Sequence, residues 1–566
     1  MTMSADAASP VARAAPGNGW SRAAIGLALL VALPMAVVAA HVVVPEREIW
    51  RHLVGTVLPG YVWTTLVLAT GVGTGVLLVG TGAAWLVTMC RFPGRRQLEW
   101  ALLLPLAIPA YVIAYTYTGL LDYAGPVQHL LRALTGWGRR DYWFPEIRSL
   151  AGAIAMMTLV LYPYVYLLAR AAFLEQSVCA LEVARTLGRG PWRSFFTVAL
   201  PLARPALAAG VTLAVMETLN DFGTVQFFAV DTLTAGIFRT WHGLGQPAAA
   251  AQLAALLLVV ALVVPLVERW TRGRARFHHT TGRYRDLPGY ALVGWRGWLA
   301  AALCALPVVL GFVVPAGVLT HWAIQTAPDM IDARFAHLAW NSFALAGIAS
   351  VVATALAVVM AYGHRLGPGP AMTLAHGVAG IGYAIPGAVI AIGVIVPLAA
   401  FDHAADRLLG TGLLLSGTLV AVQYAYVVRF MAVALNTVEA SLGKVTASMD
   451  NAARLLGRGP AGVLAQVHLP IIRPSLLTAA LLVFVDVMKE LPATLILRPF
   501  NFDTLAIRAN ELARDERLAD ASNAALAIVL VGIGPVLVLS RAIAHARPGH
   551  ARLGRARPGH ARAGLR

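Results

Sequence analysis

Runs of about twenty apolar residues, each long enough to cross a bilayer as a helix, recur along this whole chain. Ala24–Val44, Ala249–Val267 and Ala524–Ser540 contain no Asp, Glu, Lys or Arg. Backbone polar groups in hydrocarbon must be satisfied within their own segment, which dictates helices. Only 13% of the residues are charged, against roughly a quarter in a soluble domain. We expect an all-α integral membrane protein with twelve transmembrane helices. They fall near residues 24–44, 62–90, 99–121, 150–172, 205–228, 249–267, 298–320, 341–363, 372–398, 411–436, 474–497 and 523–541. The first run is not read as a cleaved signal peptide, because similar runs follow and no small-residue cleavage site ends it.

A net charge of +17 raises the possibility of nucleic acid, but the basic residues are distributed otherwise. Arg91, Arg95 and Arg96 share one loop, Arg269, Arg272, Arg274, Arg276, Arg283 and Arg285 a second, and Arg547 to Arg566 the tail. Such alternation follows the positive-inside rule and places both termini in the cytoplasm, with membrane lipid as the partner of the basic clusters. Arg132, Arg139, Arg140 and Arg148 fall on a loop assigned to the outside and run against the rule. No soluble domain is present to bind nucleic acid.

The chain is duplicated. Residues 187–205 (LGRGPWRSFFTVALPLARP) and 456–474 (LGRGPAGVLAQVHLPIIRP) share one register. Gly188 and Gly457, Pro201 and Pro470, and Pro205 and Pro474 are each 269 positions apart, while Pro109 and Pro386 are 277 apart. Each half has an even number of spans, so the two six-helix repeats are parallel-related, about an axis along the membrane normal. The division is a disordered lead (1–21), a first repeat (22–267), a basic linker (268–296), a second repeat (297–542) and a low-complexity basic tail (543–566).

The duplicated segment lies between the fourth and fifth spans of each half, on the cytoplasmic side. A short helix ended by Gly188 and Gly190-Pro191 suits docking of a partner with twofold symmetry. Glu182-x-Ala184-x-x-Leu187-Gly188, followed by Leu200-Pro201-x-x-x-Pro205, resembles the "EAA" loop of binding-protein-dependent ABC importer permeases. The second copy has Asn451, Ala453, Leu456 and Gly457, with Asn451 at the acidic position of Glu182 and Asp450 beside it. The resemblance implies the type I ABC importer permease fold, with these residues forming the ATPase-coupling loops. It also implies a homodimer of a cytoplasmic ABC ATPase and a periplasmic substrate-binding protein as partners, in a bacterial inner membrane. No Gly-x-x-x-x-Gly-Lys-Ser/Thr motif is present; Gly443-Lys444 is followed by Val445. The chain is therefore read as a transport subunit without catalytic residues or cofactors, ATP and Mg2+ belonging to the partner.

Span five carries Glu217 and Asp221, and span eleven carries Asp486 and Glu490. At a spacing of i, i+4 in a continuous helix, each pair shares a face, and the two pairs are 269 positions apart. A charge within the bilayer costs about 2.5–3.5 kcal/mol even on lenient scales, so these side chains must face protein or water. They form either an acidic lining of a translocation path or buried partners for Arg170, Arg429, Lys489 or backbone groups. The words Met216–Thr224, Asp486–Thr494 and Arg498–Leu505 are similar to fused ferric iron permeases, which implies ferric iron as cargo; thiamine, phosphonate and polyamine importers share the architecture. Ferric iron is a hard cation that prefers oxygen ligands. A secondary transporter working without an ATPase is the rival class, and it does not require the duplicated loop.

Cys90, Cys179 and Cys304 are read as small apolar residues. His41, His364 and His468 are isolated along the sequence and fix no metal site. Tyr115, Tyr117, Tyr162, Tyr164 and Tyr166 could line a path, but aromatic residues near span ends usually anchor at the membrane interface, and they are assigned there.

Overall fold

A computed structural model describes residues 19–44, 47–138, 141–175, 190–272, 290–410, 412 and 414–545. Among them, eleven helices are long and apolar enough to cross a membrane, and a pair bent by 93°, counted as one broken span, brings the number to twelve. In chain order these are span 1 (Gly19–Val43), span 2 (Leu58–Met89), span 3 (Arg95–Ala107 with Ala110–Thr135), span 4 (Leu150–Leu174), span 5 (Phe195–Asn220) and span 6 (Pro247–Glu268). The second half supplies span 7 (Trp295–Met330), span 8 (Ala333–Leu366), span 9 (Gly387–Leu409), span 10 (Leu419–Leu442), span 11 (Pro460–Met488) and span 12 (Leu518–Val538). Large apolar side chains such as Leu29, Leu78, Trp340 and Leu477 face outward, as lipid requires. Among the described residues, the regular structure is all helical apart from a two-residue parallel pairing of Cys90–Arg91 with Tyr290–Ala291.

Several expected helices are shorter or broken. The run at 99–121 is not one helix, because its two parts meet at 93°. Ile108 is extended before Pro109, and Ile385 is extended before Pro386, which breaks 372–398 between Pro370–Ile381 and Gly387–Leu409. A proline ring disfavours helical backbone in the residue before it. Spans 5 and 11 stop at Asn220 and Met488 rather than continuing to 228 and 497. Span 10 starts at Leu419, not 411; before it, the buried Asp402 carboxylate accepts hydrogen bonds from the Leu415 and Ser416 N–H groups and the Ser416 hydroxyl.

Small residues let the helices approach closely, as in membrane bundles generally. In span 2, a Cβ on Gly71 would come within 2.7 Å of Ile154, and one on Gly75 within 2.5 Å of Thr158, both in span 4. The first span of each half crosses to the other half. Span 1 packs on spans 8 and 9: Trp20 meets Tyr362 edge-on at 5.2 Å, and the Tyr424 hydroxyl donates to the Leu30 carbonyl. Span 7 returns the exchange, its Leu310 carbonyl accepting from the Tyr117 hydroxyl at 2.7 Å. The two sequence repeats are thereby interlocked in space. Cys90 and Cys304 are buried free thiols; Cys179 lies outside the described residues. Tyr115, Tyr162 and Tyr166 are fully buried, so they pack in the core rather than at an interface.

Candidate functional site

The early ends of spans 5 and 11 correct the expected geometry of the four carboxylates. Asp221 follows the helix in extended conformation (ψ 131°), and Glu490 lies beyond the helix end at Met488. Asp221, at the C-cap, still donates its N–H to the Glu217 carbonyl at 3.0 Å and stays on that face, whereas Glu490, beyond the cap at Lys489, does not share a helical face with Asp486. Each caps the short helix that follows. Asp221 Oδ2 accepts from the Thr224 N–H at 2.9 Å and the Val225 N–H at 3.3 Å, and Oδ1 from the Thr224 hydroxyl at 2.9 Å. Glu490 accepts from the Ala493 N–H at 3.0 Å, the Thr494 N–H at 3.1 Å and the Thr494 hydroxyl at 2.7 Å. The sequence signal was present, as Asp or Glu followed by Thr three or four residues later.

All four carboxylates nevertheless line one cavity, between spans 5, 10 and 11 and the bends at Pro109 and Pro492. Arg429 of span 10 joins the halves there. Its guanidinium bonds Asn220 Oδ1 and stands 3.9 Å from Glu217 and 3.8 Å from Glu490. Lys489 Nζ pairs with Asp486 at 2.9 Å. Arg170, a third possible partner, is engaged elsewhere, with Glu99. Asn220 and Gly387 went unnoticed in the sequence. The Gly387 N–H donates to Asn220 Oδ1 at 2.7 Å, where span 9 begins after the Pro386 bend.

Gly387 has no room for a side chain: a Cβ there would lie 2.7 Å from Glu490 Oε1 and 2.8 Å from Arg429 Nη1. Both atoms are fixed by their own bonds and cannot swing aside cheaply. Gly387→Ala is expected to lose about 1–3 kcal/mol by overpacking, read as a lower unfolding temperature in detergent. Gly377→Ala, with nothing within 4 Å, serves as the neutral control.

At one end of the bundle, the helix Ala447–Leu455 carries the second copy of the duplicated motif. Arg365 of span 8 fixes it, bonding Asp450 at 2.9 Å and the Leu442 and Val445 carbonyls at 2.8 and 2.7 Å. The fully buried His468 holds the other Asp450 oxygen at 2.6 Å. Asp450 is thus turned inward, and Asn451 faces solvent. Ala453 is buried, while Leu455 and Leu456 are 89% and 81% exposed. Gly457 closes the helix at φ 78°: its N–H bonds the Arg454 carbonyl, and the Arg458 N–H bonds Ala453, a Schellman termination that needs the left-handed residue. Glu182, Ala184, Leu187 and Gly188 of the first copy lie outside the described residues.

Residues 26–277 match the family described as "Binding-protein-dependent transport system inner membrane component". An Fe(3+)-transport system permease protein of Haemophilus influenzae is 26% identical over 530 residues, covering 91% of this chain and 97% of the relative. A molybdenum transport system permease protein of Escherichia coli is 29% identical over 218 residues, 37% of this chain but 92% of its own length. One from Azotobacter vinelandii is 32% identical over 161 residues, 28% of this chain and 68% of the relative. A complete relative therefore corresponds to one repeat, and another to both. From this homology and its internal duplication, the chain belongs to the family of binding-protein-dependent transport system inner membrane components, as a multi-pass permease with two repeats fused in one polypeptide.

Proposed function

We propose that this ABC importer permease carries ferric iron inward, delivered by a periplasmic binding protein and driven by two copies of a cytoplasmic ATPase. The observation that carries the cargo is the alignment of both repeats with an Fe(3+) permease over 97% of its length. The cavity chemistry supports it: four carboxylates against two cations leave an acidic excess of oxygen donors, suited to a hard cation. Asp221 and Glu490 are occupied by backbone N–H groups, so Glu217 and Asp486, at equivalent positions, are the donors we assign to the path. Arg429 and Lys489 in the same cavity favour an oxyanion as the second reading.

In this scheme the Ala447–Leu455 helix and its first-half counterpart are the coupling helices, both termini are cytoplasmic, and ATP and Mg2+ bind only the partner. Nucleotide-driven closure of the ATPases would shift the permease between two arrangements of its halves. Cells lacking the chain, complemented with it, are given labelled ferric iron, molybdate or thiamine in parallel. Restored uptake of iron alone is the expected result; restored molybdate or thiamine uptake with iron at background would reassign the cargo.

A further inference from the structure

His364 is not isolated in space. It lies in the last turns of span 8, His376 lies in the helix Pro370–Ile381, and Glu439 lies near the end of span 10. The loop after Leu366 folds back and stacks the two imidazoles, with ring centroids 4.6 Å apart. The Glu439 carboxylate reaches both, with Oε1 3.6 Å from His364 Nδ1 and Oε2 3.0 Å from His376 Nε2. One ligand atom from each residue lies within 4.8 Å of the other two, the only such trio of His, Cys, Asp and Glu among the described residues. The side chains are 27%, 20% and 45% exposed, enough for an ion to enter from solution.

We propose that His364, His376 and Glu439 form a binding site for a divalent first-row transition metal. Two imidazoles and a carboxylate are a donor set that Zn2+ takes up, with water in the fourth position, and that Fe2+ takes up as a facial triad. Bonds of about 2.0–2.1 Å put tetrahedral ligand atoms about 3.4 Å apart. The two carboxylate–imidazole separations, 3.6 and 3.0 Å, bracket that value, and the two imidazoles would turn out of their stack to meet one ion. Mg2+ and Ca2+, which prefer all-oxygen shells, are excluded as natural occupants.

The location gives the site a consequence. Arg365, next to His364, bonds both Asp450 of the Ala447–Leu455 helix and the carbonyl of Leu442, which lies three residues beyond Glu439. A bound metal would tie together the ends of span 8, the helix Pro370–Ile381 and span 10 directly above that helix. This is a clamp on the element through which we assign coupling, but metal binding itself is independent of that assignment and of the cargo.

The test uses the full chain purified without a polyhistidine tag and titrated with Co2+, whose visible absorption reports nitrogen–oxygen coordination, and with Zn2+ followed by thermal unfolding. Wild type should develop the Co2+ bands stoichiometrically and gain unfolding temperature with Zn2+, because a ligand bound only to the native state stabilises it. His376→Gln and Glu439→Gln should lose both responses while keeping the metal-free unfolding temperature, since both side chains are partly exposed. Absence of bands in wild type, or bands undiminished in the two variants, would overturn the site.

Discussion

Replacing Arg429 with methionine is expected to destabilise the protein by about 3–5 kcal/mol, the usual cost of removing one partner from a buried ion pair. The guanidinium is only 4% exposed and stands between Glu217 of the first half and Glu490 of the second, which are 17% and 1% exposed. It also satisfies Asn220. Without it, four carboxylates remain in a cavity whose other cation, Lys489, is already paired with Asp486. Arg429→Lys keeps the charge but loses the planar fork that spans three partners, and should fall between wild type and methionine. Glu217→Gln added to Arg429→Met removes one uncompensated charge and should recover part of the loss, a coupling measurable as a double-mutant cycle. Thermal unfolding in detergent gives the order. An Arg429→Met protein within about 0.5 kcal/mol of wild type, the range of ordinary surface changes, would mean that the halves do not depend on this contact.

The membrane architecture was legible because lipid leaves a chain few choices: an apolar run of bilayer length is a helix, and a constant offset between two motifs is a repeat. Helix breaks were not legible. Pro34, Pro163, Pro265 and Pro397 sit inside unbroken helices, whereas Pro109 and Pro386 bend theirs, with the residue before each in extended backbone. Proline alone does not separate the cases; the packing that satisfies or abandons the freed backbone groups does. Glu217, Asp221, Asp486 and Glu490 line one cavity, an arrangement that helical spacing alone does not produce. Asp221 and Glu490 cap the helices that follow them, and the charge that bridges Glu217 to Glu490 comes from Arg429, a residue distant in sequence. The trio of His364, His376 and Glu439 had no signature at all, since its ligands come from three helices and meet only through tertiary packing.

Aspartate at both Leu455 and Leu456 is expected to lower uptake and cargo-stimulated ATP hydrolysis in the assembled importer at least tenfold while leaving the isolated chain folded. These side chains are 89% and 81% exposed, so they contribute little to the permease's own core, and a soluble loop gains nothing from two adjacent exposed leucines. On the coupling role proposed above, the partner ATPase would cover them. Introducing carboxylates into such an interface leaves them desolvated and unpaired, at about 3–5 kcal/mol, or roughly 10²- to 10⁴-fold in affinity. The site separates docking from folding better than its neighbours do. Ala453→Asp would bury the charge within the permease itself, and Gly457→Asp would add a Cβ at φ 78°, mixing lost docking with backbone strain. Because the motif occurs twice, one intact copy can retain part of the coupling, so the companion variant Gly188→Asp should deepen the loss. The readouts are co-purification with the ATPase, uptake, and the unfolding temperature of the permease alone. Full uptake and an unchanged complex in the Leu455→Asp, Leu456→Asp protein would remove this helix from the coupling path, whatever the cargo. Loss of the complex at an unchanged unfolding temperature would place the motor's contact on this face of the Ala447–Leu455 helix.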